Sequence, residues 1–259
     1  MSSVSVTAGL LPRIVAFQEG LARRSAQRVT AIPGGFAVLD DRYPVSYEHN
    51  QLYVTGPVAV DVLLALAERV LRQRQHRRVT VLDDELGRRL APGLLAAGYH
   101  QDHNLLMALT GESERQAPDV TVERMPLEAL REAVARSWTE QYPELIESEL
   151  RQLVERRGTT AAACDLTSHA VRAGGTVVAW CHLYLVGREA QVESVNTLPA
   201  WRRRGFATAV VLDAVALARA AGCELVFLVA DREDWPQHLY ERLGFAPVGE
   251  QHGFVRTPR

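Results

Sequence analysis

The apolar positions of the chain recur with two periods, near two and near 3.6, and so predict a succession of short strands and amphipathic helices. In the first half the pattern predicts a helix over 10–25, strands over 28–32, 36–39 and 51–54, and a helix over 58–74. A strand over 78–82, a helix over 85–97 and a strand over 104–109 follow. The polar stretch Thr110–Pro118, which contains both Gly and Pro, interrupts the pattern and reads as a linker. Beyond it the pattern predicts a strand over 120–125, helices over 127–137 and 144–156, and three consecutive strands over 167–172, 177–185 and 190–196. A helix over 207–221, a strand over 224–229, a helix over 235–243 and a hairpin-like stretch ending in Gly253-Phe-Val-Arg256 complete it. Several strands in a row, then helix, strand, helix, indicate an α/β protein with a mixed sheet rather than a doubly wound one.

Two windows repeat one another. Arg78-Val-Thr-Val-Leu-Asp-Asp-Glu runs through a helix to Gly98-Tyr99, and Glu224-Leu-Val-Phe-Leu-Val-Ala-Asp runs through a helix to Gly244-Phe245. In each, an apolar strand passes through acidic residues into a helix that stops at Gly-aromatic. With 259 residues, enough for two compact domains, the expected organisation is two copies of one fold. The first spans 1–112, a linker 113–118, and the second 119–259.

Composition narrows the chemistry. All 29 basic residues are arginine, so Schiff-base chemistry on a lysine and a phosphate-loop lysine are both excluded. A phosphate must then be held by arginine or by backbone N–H groups. The net charge of −2 gives no long-range attraction to a polyanion, and neither nucleic acid nor a membrane is expected as a partner. Cys164, Cys181 and Cys223 show no C-x-x-C pair, which argues for free thiols, and no H-E-x-x-H or other metal spacing occurs, so no metal is expected. The start Met1-Ser-Ser-Val-Ser-Val lacks the basic and apolar regions of a signal peptide, and no apolar run approaches the roughly 18 residues of a membrane helix. A cytoplasmic location is the expectation.

The strongest local signal is Val192-Glu-Ser-Val-Asn-Thr-Leu-Pro-Ala-Trp-Arg-Arg-Arg-Gly-Phe-Ala-Thr208. A strand leads through a Pro turn to Arg202, Arg203 and Arg204, then to Gly205 and a small-residue helix start. Such a segment can cradle an anion, because glycine admits close backbone approach and a helix start presents free N–H groups. From these residues alone, a solvated basic turn that starts a helix is an equal reading.

With this turn goes a second motif, Leu239-Tyr-Glu-Arg-Leu-Gly-Phe245. The pair, in this order, resembles the GNAT superfamily of N-acetyltransferases, whose signature is Arg/Gln-x-x-Gly-x-Gly/Ala after a strand. The resemblance covers about Val120 to Arg256. It implies a tandem acyl-CoA N-acyltransferase fold with a central, mostly antiparallel sheet flanked by helices, the first copy being degenerate. It also implies acetyl-CoA as cosubstrate. The pyrophosphate would rest on Arg202, Arg203, Arg204, Gly205, Phe206, Ala207 and Thr208, and pantetheine would pair with Val195, Asn196 and Thr197. Tyr240 would protonate the leaving thiolate. Glu193, placed by the period of two on the face of Val195, would act as base, with Glu224 its competitor.

The chain departs from the family's pattern in three places. Arg203 stands where Gly is common, Glu233 where Asn is frequent, and Pro236 where a small residue is usual. The acidic segment Glu140–Glu149 falls where relatives bind the acceptor, and a solvated face is the competing reading. His49, Asn50, His100 and His103 read first as surface or capped groups. The expected activity is transfer of acetyl to a primary amine by direct attack, the amine being a small molecule or on a protein. The alternative is a non-catalytic acyl-CoA sensor, and a homodimer is compatible with either.

Overall fold

The computed structural model describes residues 9–257. Its compact units are discontinuous in sequence. Unit 1 takes the described residues up to Leu106, together with Ala230–Asp234 and those from Val248 on; unit 2 takes Met107–Val229 and Trp235–Pro247.

Unit 1 opens with helix α1 (Leu10–Ser25), followed by strands β1 (Arg28–Ile32), β2 (Gly35–Leu39) and β3 (Gln51–Val54). Pro33 and Gly34 close the β1–β2 hairpin, where Gly34 has φ +75°, the left-handed value that a Pro-Gly turn demands. Helix α2 (Val60–Val70) then crosses to β4 (Arg77–Val81), which lies parallel to β3. Helix α3 (Asp84–Ala96) leads to β5 (His100–Leu109). The last strand, β11 (Phe245–Arg256), pairs antiparallel with β4, and the strand order is β1-β2-β3-β4-β11-β5. Leu52, Val54, Val79 and Val81, spaced by two along β3 and β4, meet Leu63 and Ala67 of α2 and Leu86, Leu90 and Leu94 of α3 in one buried core.

The predicted terminal hairpin is one continuous strand. Gly249 and Gly253 mark close approaches, not turns: a Cβ at Gly249 would stand 2.5 Å from the Leu11 side chain, and one at Gly253 2.3 Å from the Arg78 guanidinium.

Unit 2 begins with the short β6 (Glu123–Met125), a 3-10 turn (Leu127–Leu130) and helices α4 (Arg131–Gln141), α5 (Glu147–Glu155) and α6 (Arg157–Ala161). The expected helix from 144 starts only at Glu147, because the chain turns through Tyr142 and Pro143 first. Strands β7 (Asp165–Ala173), β8 (Thr176–Val186) and β9 (Glu189–Thr197) form an antiparallel meander. Its first turn is Gly174-Gly175, both at positive φ, as a two-residue hairpin requires. Helix α7 (Phe206–Ala220) carries the chain to β10 (Leu225–Asp231), parallel to β9, and α8 (Pro236–Arg242) follows. The strand order here is β5-β10-β9-β8-β7-β6. Ala209, Val210, Ala214 and Ala218 bury one side of α7, and the small side chains let it sit close enough for the Cys181 thiol to reach the Val210 carbonyl at 3.3 Å. On the opposite face of the sheet, Leu130 and Ala133 pack on Ala170, Val177 and Trp180.

The sheet is thus mixed, with parallel pairing at β3/β4 and β9/β10 and antiparallel pairing at the other pairs whose register is described. Among the described residues no helix is long and apolar enough to cross a membrane. All three cysteines are free thiols, but only Cys181 is buried, where desolvation pushes its thiol pKa up.

Candidate functional site

The site grows from an irregularity in β9. Its pairing with β8 matches His182 to Glu193 and Trp180 to Asn196, so Ser194 and Val195 together oppose the single residue Cys181. This is a β-bulge, and it breaks the alternation of side chains. The expectation that Glu193 shares a face with Val195 therefore fails: Glu193 shares its face with Asn196, on the side of Trp180, His182 and Tyr184. Ser194 takes φ +52°, a left-handed conformation that costs a non-glycine residue roughly 1–2 kcal/mol. Its hydroxyl is held by the Arg157 guanidinium, which also donates to the Tyr184 hydroxyl at 2.6 Å.

On the other side of β9, the parallel ladder with β10 runs from Leu225 and Glu189 to Leu228 and Val192 and ends there. Residues 193–197 continue along β8 only. Val195, Asn196 and Thr197 thus lie on the part of β9 beyond its ladder with β10. The Asn196 amide donates to Ser137 of α4 at 2.6 Å, and the Thr197 hydroxyl is buried without a hydrogen-bond partner.

Past Thr197 a short 3-10 turn, Pro199–Trp201, brings the chain to the arginine cluster. Arg202 donates through Nε to the Thr197 carbonyl at 3.1 Å, and the Arg204 guanidinium lies 4.7 Å from the centre of the Trp201 ring. These contacts fix the stems of two exposed arginines at the mouth of α7. Arg203 has φ +62°; with Ser194 it is one of two non-glycine residues at positive φ among those described. The superfamily's usual glycine is thus replaced by a residue forced into the backbone shape that glycine adopts freely, so the loop keeps its path at a cost in strain. Gly205, at φ +81°, is the N-cap of α7, and a Cβ there would meet Pro118 at 3.2 Å. No side chain caps this helix and no acid sits in its first turn, so the N–H groups of Phe206, Ala207 and Thr208 keep their affinity for an anion.

Glu193 accepts hydrogen bonds from Gln191 at 2.8 Å and from Ser194 at 3.5 Å. Its face also carries His182, joined to Ser168 at 3.0 Å. Tyr240 is presented by α8, is buried, and packs edge-on to Phe245 at 6.4 Å between ring centres. Glu224, the competing acid, forms an ion pair with Arg188 at 2.9 Å. Glu233 is exposed, its N–H bonded to Asp231.

The other candidates are absorbed locally. His49 pairs with Ser46 at 2.9 Å, and buried Asn50 accepts from the Asp40 N–H while donating to the Tyr43 and Ser46 carbonyls. Glu140, Glu144 and Glu147 are exposed, and Glu149 accepts from the Ile146 N–H ahead of α5. Arg157, Tyr184 and Ser194 were not singled out by sequence. No local pattern joins Arg157, in a short helix, to two strands 27 and 37 residues later.

Residues 127–245 match the model of the acetyltransferase (GNAT) family. No curated protein matches the chain. Among solved structures, a GCN5-related N-acetyltransferase from Kribbella flavida superposes with a TM-score of 0.64 at 18% identity, over 97% of this chain and 96% of that one. A conserved protein of unknown function from Staphylococcus epidermidis gives 0.71 at 13% identity over 90% and 95%, and a GCN5-related N-acetyltransferase from Sphaerobacter thermophilus gives 0.54 at 19% over 86% and 76%. At these identities the likeness is one of fold, and it spans most of the chain. The family match and the site geometry fall on the same stretch: residues 127–245 are a GNAT acetyltransferase domain, and the chain that carries them is an acyltransferase.

Proposed function

We propose that the chain uses acetyl-CoA to acetylate a primary amine by direct attack. The observation that carries this reading is one continuous backbone path in which the end of β9, unladdered by β10, leads through Gly205 into the uncapped start of α7. An extended pantetheine arm can add to Val195, Asn196 and Thr197 as a strand would. A diphosphate then meets the backbone of Arg202 to Thr208, with charge-assisted bonds from Arg202, Arg203 and Arg204.

In the reaction, the amine nitrogen attacks the thioester carbon, whose oxygen is polarised by a backbone N–H of β9, and the carbon–sulfur bond breaks. The thiolate takes the proton of the Tyr240 hydroxyl, and the second proton of the attacking nitrogen, shed as the amide forms, restores the phenol. A phenol with a reference pKa of about 10 is protonated at neutral pH and can donate to a thiolate whose acid lies near 8.5. The proton shed by the arriving ammonium passes through water to Glu193.

Calorimetry with acetyl-CoA tests the donor site, and no binding up to about millimolar donor overturns the proposal. Tyr240→Phe is expected to lower kcat about 100-fold with donor affinity unchanged; unchanged kcat removes Tyr240 from the reaction. Donor binding without thiol release across a broad amine panel would make the chain an acyl-CoA sensor instead.

A further inference from the structure

We propose that unit 1 holds a divalent-metal site of zinc type, formed by Asp84, His103 and His252. Their ligand atoms lie within 4.8 Å of one another. Around a tetrahedral ion with ligands at about 2.1 Å, ligand atoms stand about 3.4 Å apart, so no pair here has to close by more than about 1.4 Å, shared between two side chains. Two imidazoles and a carboxylate suit zinc, with a fourth position for water.

The histidines are built in, not incidental. His252, 1% exposed on β11, lies against Gly87 of α3, where a Cβ would stand 2.0 Å from its ring. Only glycine at 87 lets the ring occupy this place. Its Nε2 faces Asp84 Oδ1 at 3.0 Å, while Nδ1 lies 2.8 Å from the Gln101 amide. That is the outer partner a metal-bound imidazole needs, once the amide presents its oxygen and the ring proton sits on Nδ1. His103 on β5 stacks on His252 at 4.5 Å between ring centres and is anchored by Glu250 at 2.6 Å. Asp84 opens α3, so the ion would join one helix to two strands of the unit's core.

Other charges face the cluster. Arg88 pairs with Asp84 at 2.8 Å and Arg232 with Glu250, and both guanidiniums oppose a cation. The expected affinity is therefore about micromolar, weaker than that of a dedicated structural zinc site. The ligands come from positions 84, 103 and 252, a spacing no metal motif contains, so only the fold brings them together.

The test is a Zn²⁺ titration of the chelator-treated full chain by calorimetry at pH 7.5, with thermal melting alongside. We expect one equivalent bound, and a melting temperature raised by about 5 °C at zinc well above Kd. Affinity should fall as pH drops to 6, because the imidazoles must bind unprotonated. Asp84→Asn and His103→Ala should each weaken binding at least about tenfold. His238→Ala, in the exposed pair with Glu241, should leave it unchanged. His103→Ala is the informative variant if changes around buried His252 impair folding. Absence of a stoichiometric heat, or binding unaltered in both ligand variants, overturns the site. The measurement is independent of acetyl-CoA, so its failure leaves the proposed activity standing and success does not depend on it.

Discussion

Helices α3 in unit 1 and α7 in unit 2 both follow strands, but their first turns are finished differently. At α3, Asp83 stands at the N-cap and accepts the Leu86 N–H at 2.7 Å, and Asp84 and Glu85 fill the first turn. The chain's own carboxylates answer the exposed amides and the helix dipole. Helix α2 likewise has Asp61 in its first turn. At α7, Gly205 offers no side chain, the first turn has no acid, and three arginines precede it. A strand, a turn and a helix do not by themselves make an anion receptor; what matters is whether the helix start is left unanswered.

The buried imidazoles give the largest effect, and they compare the two units in stability rather than binding. Burial drives the pKa of His76 in unit 1 down to about 4 from 6.5. The unfolded chain therefore binds more protons than the native one between these values. Stability should fall as pH drops from about 6.5 to about 4, by up to about 3 kcal/mol. In unit 2, desolvation also lowers the pKa of His169, but the bond to Asp213 offsets part of it. Denaturant melts across this range should flatten more in His76→Gln than in His169→Gln; equal slopes for the two would show that the desolvation of His76 is not decisive.

A charge at α7 tests the contrast directly. Gly205→Asp places a carboxylate beside the amides, as α3 does, and should weaken acetyl-CoA binding about 100-fold. Gly205→Asn, which tolerates the left-handed backbone without charge, should lose clearly less. Equal losses would mean that shape alone governs the turn. The smallest effect is expected from Asp83→Ala: about 1 kcal/mol less stability in denaturant melts, with donor affinity unchanged.

Periodicity and turn chemistry were enough to read most elements and the start of α7, because Gly205, the arginines and the small residues after them are consecutive. Partnerships formed across the sheet were not readable this way. Period-two reasoning misplaced Glu193 relative to Val195, since nothing local announces a serine at φ +52°. The stretch ending at Gly253 read as a hairpin because a sequence does not show the side chain that will press against that glycine.

One extra residue in β9 divides the strand's allegiance. Up to Val192 it obeys the pleat shared with its two neighbours; after the doubled position opposite Cys181 the parity is inverted. Removing either Ser194 or Val195 would restore regular pleating and swap the sides of Asn196 and Thr197, so a single-codon deletion would reshape this end of the strand and take the Asn196 amide away from Ser137 of α4.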